Sequence, residues 1–208
     1  MRVRVASLSV LALCLAVVPA MAQTLYSNGP INGNTDAWTI NFGFVVSDSF
    51  TTSPNATVTG LQFGAWLFPG DVLQTAEVSI TSAEFGGTTF FDQVVSFTQS
   101  TGCPTNGFGY QVCTETGNFT TTLAGGTYWL NLQNAVVNSG DPIFWDENSG
   151  PSSASENSVG TIPSEAFTIL GSESTTTTTS TTTPEPSSIL LFGSGILGLA
   201  GVIRRKLF

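Results

Sequence analysis

Tyr128-Trp129-Leu130-Asn131-Leu132-Gln133 places apolar and polar residues in strict alternation along much of its length. In an extended chain, successive side chains point to opposite faces. Tyr128, Leu130 and Leu132 therefore form one apolar row, and Trp129, Asn131 and Gln133 face the other way. The same period of two recurs outward from this segment. Trp38, Ile40, Phe42, Phe44 and Val46 alternate with Thr39, Asn41, Gly43 and Val45, which predicts one half-buried strand. Residues 57–68 predict another, broken by Gly60 and Gly64 and ended by Pro69-Gly70-Asp71. Further strands are expected at 76–83, 88–98, 107–113, 119–123, 127–137, 143–145 and 166–170, and no helical period is sustained between them. Short strands with regular turn signals favour an all-β fold, an antiparallel β-sandwich of jelly-roll type, over a barrel.

The two ends of the chain follow different rules. Arg2 and Arg4 precede an apolar stretch at 5–18, and Ala20-Met21-Ala22 offers a small-x-small cleavage site, so residues 1–22 are expected to be a signal peptide. The mature chain should then start at Gln23, and Cys14 should leave with the leader. At the other end, an unbroken Ser/Thr run at 174–183 contains too few apolar groups to offset ordering entropy, so 173–183 reads as a linker. Pro184, Glu185 and Pro186 follow, then a mostly apolar stretch from Ile189 to Ile203, closed by Arg204, Arg205 and Lys206. As a helix that stretch covers roughly 22 Å, short of a hydrocarbon core of about 30 Å. Counting back to Ser187 and letting the basic side chains snorkel closes most of the gap, so a single membrane helix is expected, basic end in the cytoplasm. Between the ends, residues 23–172 are long enough for one domain with its own core.

The order Pro-Glu-Pro, apolar helix, basic cluster resembles the PEP-CTERM sorting signal of exported bacterial proteins. The match falls on Pro184, Glu185 and Pro186, then Ser187, the Gly-rich apolar stretch and Arg204-Arg205-Lys206. The resemblance implies that 184–208 is recognised by the membrane transpeptidase exosortase, which cuts near the motif and releases or transfers the body. It implies a destination in the cell envelope, at the cell surface or in an extracellular matrix. The competing reading of the tail is an ordinary C-terminal anchor. Residues 38–170 also resemble, loosely, extracellular domains that accompany such tails, a likeness that assigns no activity.

Composition narrows the chemistry. All five basic residues lie in the terminal segments, and the chain has no His, so the body contains no Lys, Arg or His. Of the fourteen acids, all but Glu185 lie in the body. Nucleic acid is disfavoured as a partner, because no side-chain cation is present to neutralise phosphate. Ser-His-Asp, Cys-His and lysine chemistry are absent for the same reason. Carboxylate chemistry survives, and a glycosidase needs only two acids, but no such pair is marked in the sequence. Solvated surface acids are the plainer reading of most of these residues. The expectation is a non-catalytic body without a cofactor. Mutual repulsion among its carboxylates should raise their pKa values and favour stability on mild acidification.

Cys103 and Cys113 are the only cysteines of the exported body and should form a disulfide around a turn-rich loop. Two binding readings follow from particular residues. Trp129 beside Asn131 and Gln133 would suit a polysaccharide, with a ring against carbon-bound hydrogens and amides to hydroxyls, unless Trp129 is covered and belongs to the packing. Asp141, Asp146 and Glu147 offer hard oxygen ligands of the kind calcium takes, although the spacing fails the EF-hand pattern and a polar surface loop competes.

Overall fold

The computed structural model describes residues 23–173, and all of the regular structure there is antiparallel strand. The expected signal peptide, most of the linker, and the tail residues Pro184, Glu185, Pro186, Ile189, Ile203, Arg204, Arg205 and Lys206 lie outside the described residues.

Twelve strands form one curled sheet. They are β1 (Gln23–Ser27), β2 (Ala37–Thr39), β3 (Val45–Thr52), β4 (Ala56–Leu67), β5 (Leu73–Ala83) and β6 (Gly86–Gln99), then β7 (Gln111–Leu123), β8 (Gly126–Val137), β9 (Phe144–Asp146), β10 (Ala154–Glu156), β11 (Gly160–Ile162) and β12 (Phe167–Glu173). The hydrogen-bonded order is β1-β12-β4-β7-β6-β5-β8-β3-β10-β11, with β9 joining β2 to β4. Eight of the strands pair in nested fashion: β1 with β12, β3 with β8, β4 with β7, and β5 with β6. Strand β6 makes the curl, because its first part pairs with β5 and only Phe97, Thr98 and Gln99 pair with β7.

The core lies in the hollow of the curl. Tyr128, Leu130 and Leu132 of β8 are buried as the alternation requires, in one core cluster with Leu61 and Phe63 of β4. An aromatic chain links the strands: Phe97 meets Phe63 edge-on at 5.4 Å, Phe63 meets Trp145 at 6.0 Å, and Trp145 meets Phe167 at 5.6 Å. Tilted and edge-on rings are the favoured arrangement for aromatic quadrupoles.

The expected strand from Trp38 to Val46 is two strands separated by a turn. Phe42 and Gly43 both have positive φ, 58° and 90°, and the Phe44 N–H donates to the Asn41 carbonyl. This is the pattern of a type I′ turn. Ile40 and Val46 are core residues on either side of it, whereas Phe42 is 66 % exposed at its tip. The alternation was real for the ends of the segment and accidental at its centre. Residues 107–110 form a turn, not a strand, and the expected strands at 107–113 and 119–123 give way to one continuous β7. Strands β1, β10 and β11 are short and carry no sustained alternation, so local pattern did not reveal them.

Candidate functional site

The outer face of β8 carries the residues expected to meet a polysaccharide. Trp129 is half-buried between Ser49 of β3 and Thr81 of β5. The two amides already have protein partners. Asn131 is buried, donates from Nδ2 to Thr81 Oγ1 at 2.9 Å, and accepts at Oδ1 from the Phe85 N–H. Gln133 donates to Glu77 Oε1 at 2.7 Å, and Asn134 donates to the other oxygen of the same carboxylate. The face thus presents one aromatic ring whose neighbouring amides are engaged within the sheet.

The acids considered for calcium are held separately. Asp146 is fully buried: Oδ2 accepts from the Asn32 N–H, and Oδ1 accepts from the Gly33 N–H and the Trp66 indole at 2.7 Å. Glu147 accepts from the Trp38 indole at 3.1 Å. Asp141 lies exposed, its N–H bonded to Ser139 and its carbonyl to Asn41. Among the described residues, no three acidic, Cys or His side chains gather as metal ligands.

The burial of acids departs from the surface reading. Seven of the thirteen body acids are buried: Asp48, Asp71, Glu115, Asp146, Glu147, Glu156 and Glu165. Loss of hydration pushes Glu115 up to about 7, and neither of its carboxyl oxygens has a hydrogen-bond partner. Burial also pushes Asp48 up to about 6, although its Oδ2 accepts from Asn28 Nδ2 and the Glu165 N–H. Glu165 is held well above the ordinary carboxylate range, first by burial and then by the neighbouring charge of Asp48. Asp146 is raised as well, so its three donors reduce the cost of burial without cancelling it. Desolvation is what raises these groups, with repulsion from neighbouring carboxylates adding to it at Glu165.

A different surface gathers chemistry that no single stretch of sequence displays. The disulfide Cys103–Cys113 forms, with Cα atoms 4.8 Å apart, and closes a loop tightened by the pairing of Thr105 with Gln111. Asn106 organises its tip. Its Oδ1 accepts from the Phe108 and Tyr110 N–H groups at 3.0 Å each, a local side-chain turn of the kind asparagine favours. Phe108 is thereby presented to solvent, 62 % exposed, and stacks on Trp66 with centroids 5.4 Å apart and planes at 25°. Tyr110 tilts against the same Trp66 and meets Phe144 edge-on. These rings and Asp36 line a cleft of about 170 Å³.

A second recess, of about 330 Å³, opens on the same two chain segments. Asn32, Asn34, Ser100, Thr105 and Thr114 supply its polar lining, and no ionisable side chain borders it. Segment 28–37 reaches this position by crossing β4, where Gly64 leaves room for Ile31 and Asp146. A Cβ on Gly64 would lie 2.8 Å from each. Sequence reading missed this surface because Trp66, Phe108 and Phe144 come from distant parts of the chain. The local sign was the clustering of Phe108 and Tyr110 inside the cysteine loop.

Comparison with known proteins adds a destination. Residues 182–206 match the family model described as the PEP-CTERM protein-sorting motif, so the tail carries that signal. No curated protein matches the chain.

Proposed function

We propose that the chain is an exported, non-catalytic component of the cell surface or extracellular matrix, with a body of jelly-roll type and a tail processed by exosortase. The observation that carries this reading is the sorting motif at 182–206, which marks an exported protein directed to the surface and implies exosortase as its processing partner. The nested pairing of β1 with β12, β3 with β8, β4 with β7 and β5 with β6 supports the jelly-roll description. A passive body is supported by its chemistry. It has no His, Lys or Arg, Glu115 and Glu165 are sealed from solvent, and the aromatic cleft holds the single carboxyl of Asp36. A glycosidase would need two carboxyls facing one substrate across roughly 5 to 9.5 Å.

Replacing Pro184, Glu185 and Pro186 with alanine in the native host tests the processing step. The variant should accumulate with its tail intact in the membrane fraction. Release at the wild-type rate and size would overturn the reading. Binding of extracellular polysaccharide is the second reading, favoured by the solvent-facing aromatic rings beside the disulfide loop.

A further inference from the structure

We infer that the disulfide-loop surface is a binding site for a neutral oligosaccharide, with Phe108, backed by the buried Trp66, as the stacking platform and the Asn34 recess as the hydrogen-bonding subsite. The inference rests on the second reading above, binding of extracellular polysaccharide, and gives that binding a place and a ligand class. Three observations select the ligand.

The first is the ring arrangement. Phe108 is exposed yet fixed, since Asn106 holds its backbone and Trp66 supports its ring. A preordered ring loses little entropy on binding, and its face suits the carbon-bound hydrogens of a pyranose. The second is the recess lined by the same segments, where the side chains of Asn34, Thr105 and Thr114 can both donate to and accept from sugar hydroxyls, while Asn32 and Ser100 already bond within the protein. Its volume of about 330 Å³ lies in the range of small-ligand sites. The third is charge. The aromatic cleft carries Asp36, and the body has no cationic side chain, so a uronate or sulfated glycan would meet a carboxylate with no counter-charge. A neutral glycan incurs no such cost, and Asp36 can accept from its hydroxyls.

Both openings are lined by the segments around 31–37 and 102–112, so one chain of sugars can address ring and recess together. On the outer face of β8 both amides beside Trp129, Asn131 and Gln133, are already engaged, whereas the Asn34 side chain has no hydrogen-bond partner among the described residues.

The test is an array of neutral glucan, mannan, xylan and galactan oligosaccharides, with uronate-containing glycans alongside, probed with the secreted protein. Affinity for the best neutral probe is then measured for Phe108→Ala, Asn34→Ala and Trp129→Ala at a temperature where melting curves show each folded. Phe108→Ala and Asn34→Ala should each weaken binding by about tenfold or more, and Trp129→Ala should leave it unchanged. Phe108 is mostly exposed, so its truncation spares the core, and Asn34→Ala reports on the same site independently. The inference is overturned by retention of no neutral glycan, by selective retention of the uronates, or by loss of binding with Trp129→Ala instead of the loop variants. Processing is read separately by mass, so a failure here leaves the export reading standing.

Discussion

Glu115 shows how little of an acid's environment is written around it. In sequence it sits among Thr114, Thr116 and Gly117, between the expected strands, and reads as a solvated surface acid, yet in the fold it faces inward between Cys113 and Gly117. With no partner for either oxygen, its carboxyl holds a proton up to about pH 7, whereas the unfolded chain releases that proton near the ordinary Glu value of 4.5. The native state therefore binds more protons over that window. Its contribution to stability is complete below about pH 4 and declines as pH rises through about 7. Glu115→Gln keeps the shape and removes the titration. The variant should show a flatter dependence of melting temperature on pH between 5 and 8 than the wild type. An unchanged slope would place Glu115 in contact with water. Trp145, fully buried, anchors its loop to the sheet by donating its indole N–H to the Ala166 carbonyl.

At the scale of elements, legibility followed burial on one face. Strand β8 was readable over 128–133, where Tyr128, Leu130 and Leu132 are buried and Trp129 and Gln133 half-buried, a contrast that alternation reports; past Asn134 the phase reverses and Ala135 and Val137 turn inward. Strand β4 was readable in position but not in environment, since both faces are covered near Trp66. The Trp38–Val46 segment misled because the turn tip carries a phenylalanine, whose hydrophobicity imitates a core position. The missing side chain of Gly117 accommodates the Phe97 ring and lets β7 run through the gap between the two expected strands. The aromatic cleft was illegible because its rings come from β4, the cysteine loop and β9.

Two experiments address elements. Gly64→Val should destabilise the fold by roughly 2 kcal/mol or more, because the new side chain displaces Ile31 and Asp146 from β4. A change within about 0.5 kcal/mol in a denaturant titration would show that segment 28–37 is not held as described. Reducing Cys103–Cys113 should cost on the order of 2 to 3 kcal/mol while leaving a cooperative transition, since the core does not depend on the loop. Superposable melts with and without reductant would contradict a staple at that position.

For the whole molecule, the buried acids act together. Asp48, Glu115, Asp146, Glu147 and Glu165 are all raised chiefly by desolvation, and no cationic side chain in the body offsets any of them. The raised values give the sign expected from repulsion, with burial as the leading cause. The melting temperature of the secreted protein should rise as pH is lowered from 8 toward 5, in high salt as well as low, because salt screens repulsion between exposed charges far more than it alters desolvation. A fall over that range would mean that hydrogen bonds to the ionised carboxylates prevail.

The central claim is that this is an exported protein whose tail serves to sort it. Intact-mass measurement of the protein from the surface and medium of its native host tests that claim most directly. The account predicts a mature product that begins at Gln23, contains the Cys103–Cys113 disulfide and lacks the apolar stretch from Ile189 to Ile203 with its basic end. A product that retains residues through Phe208 and stays in the membrane fraction would contradict it.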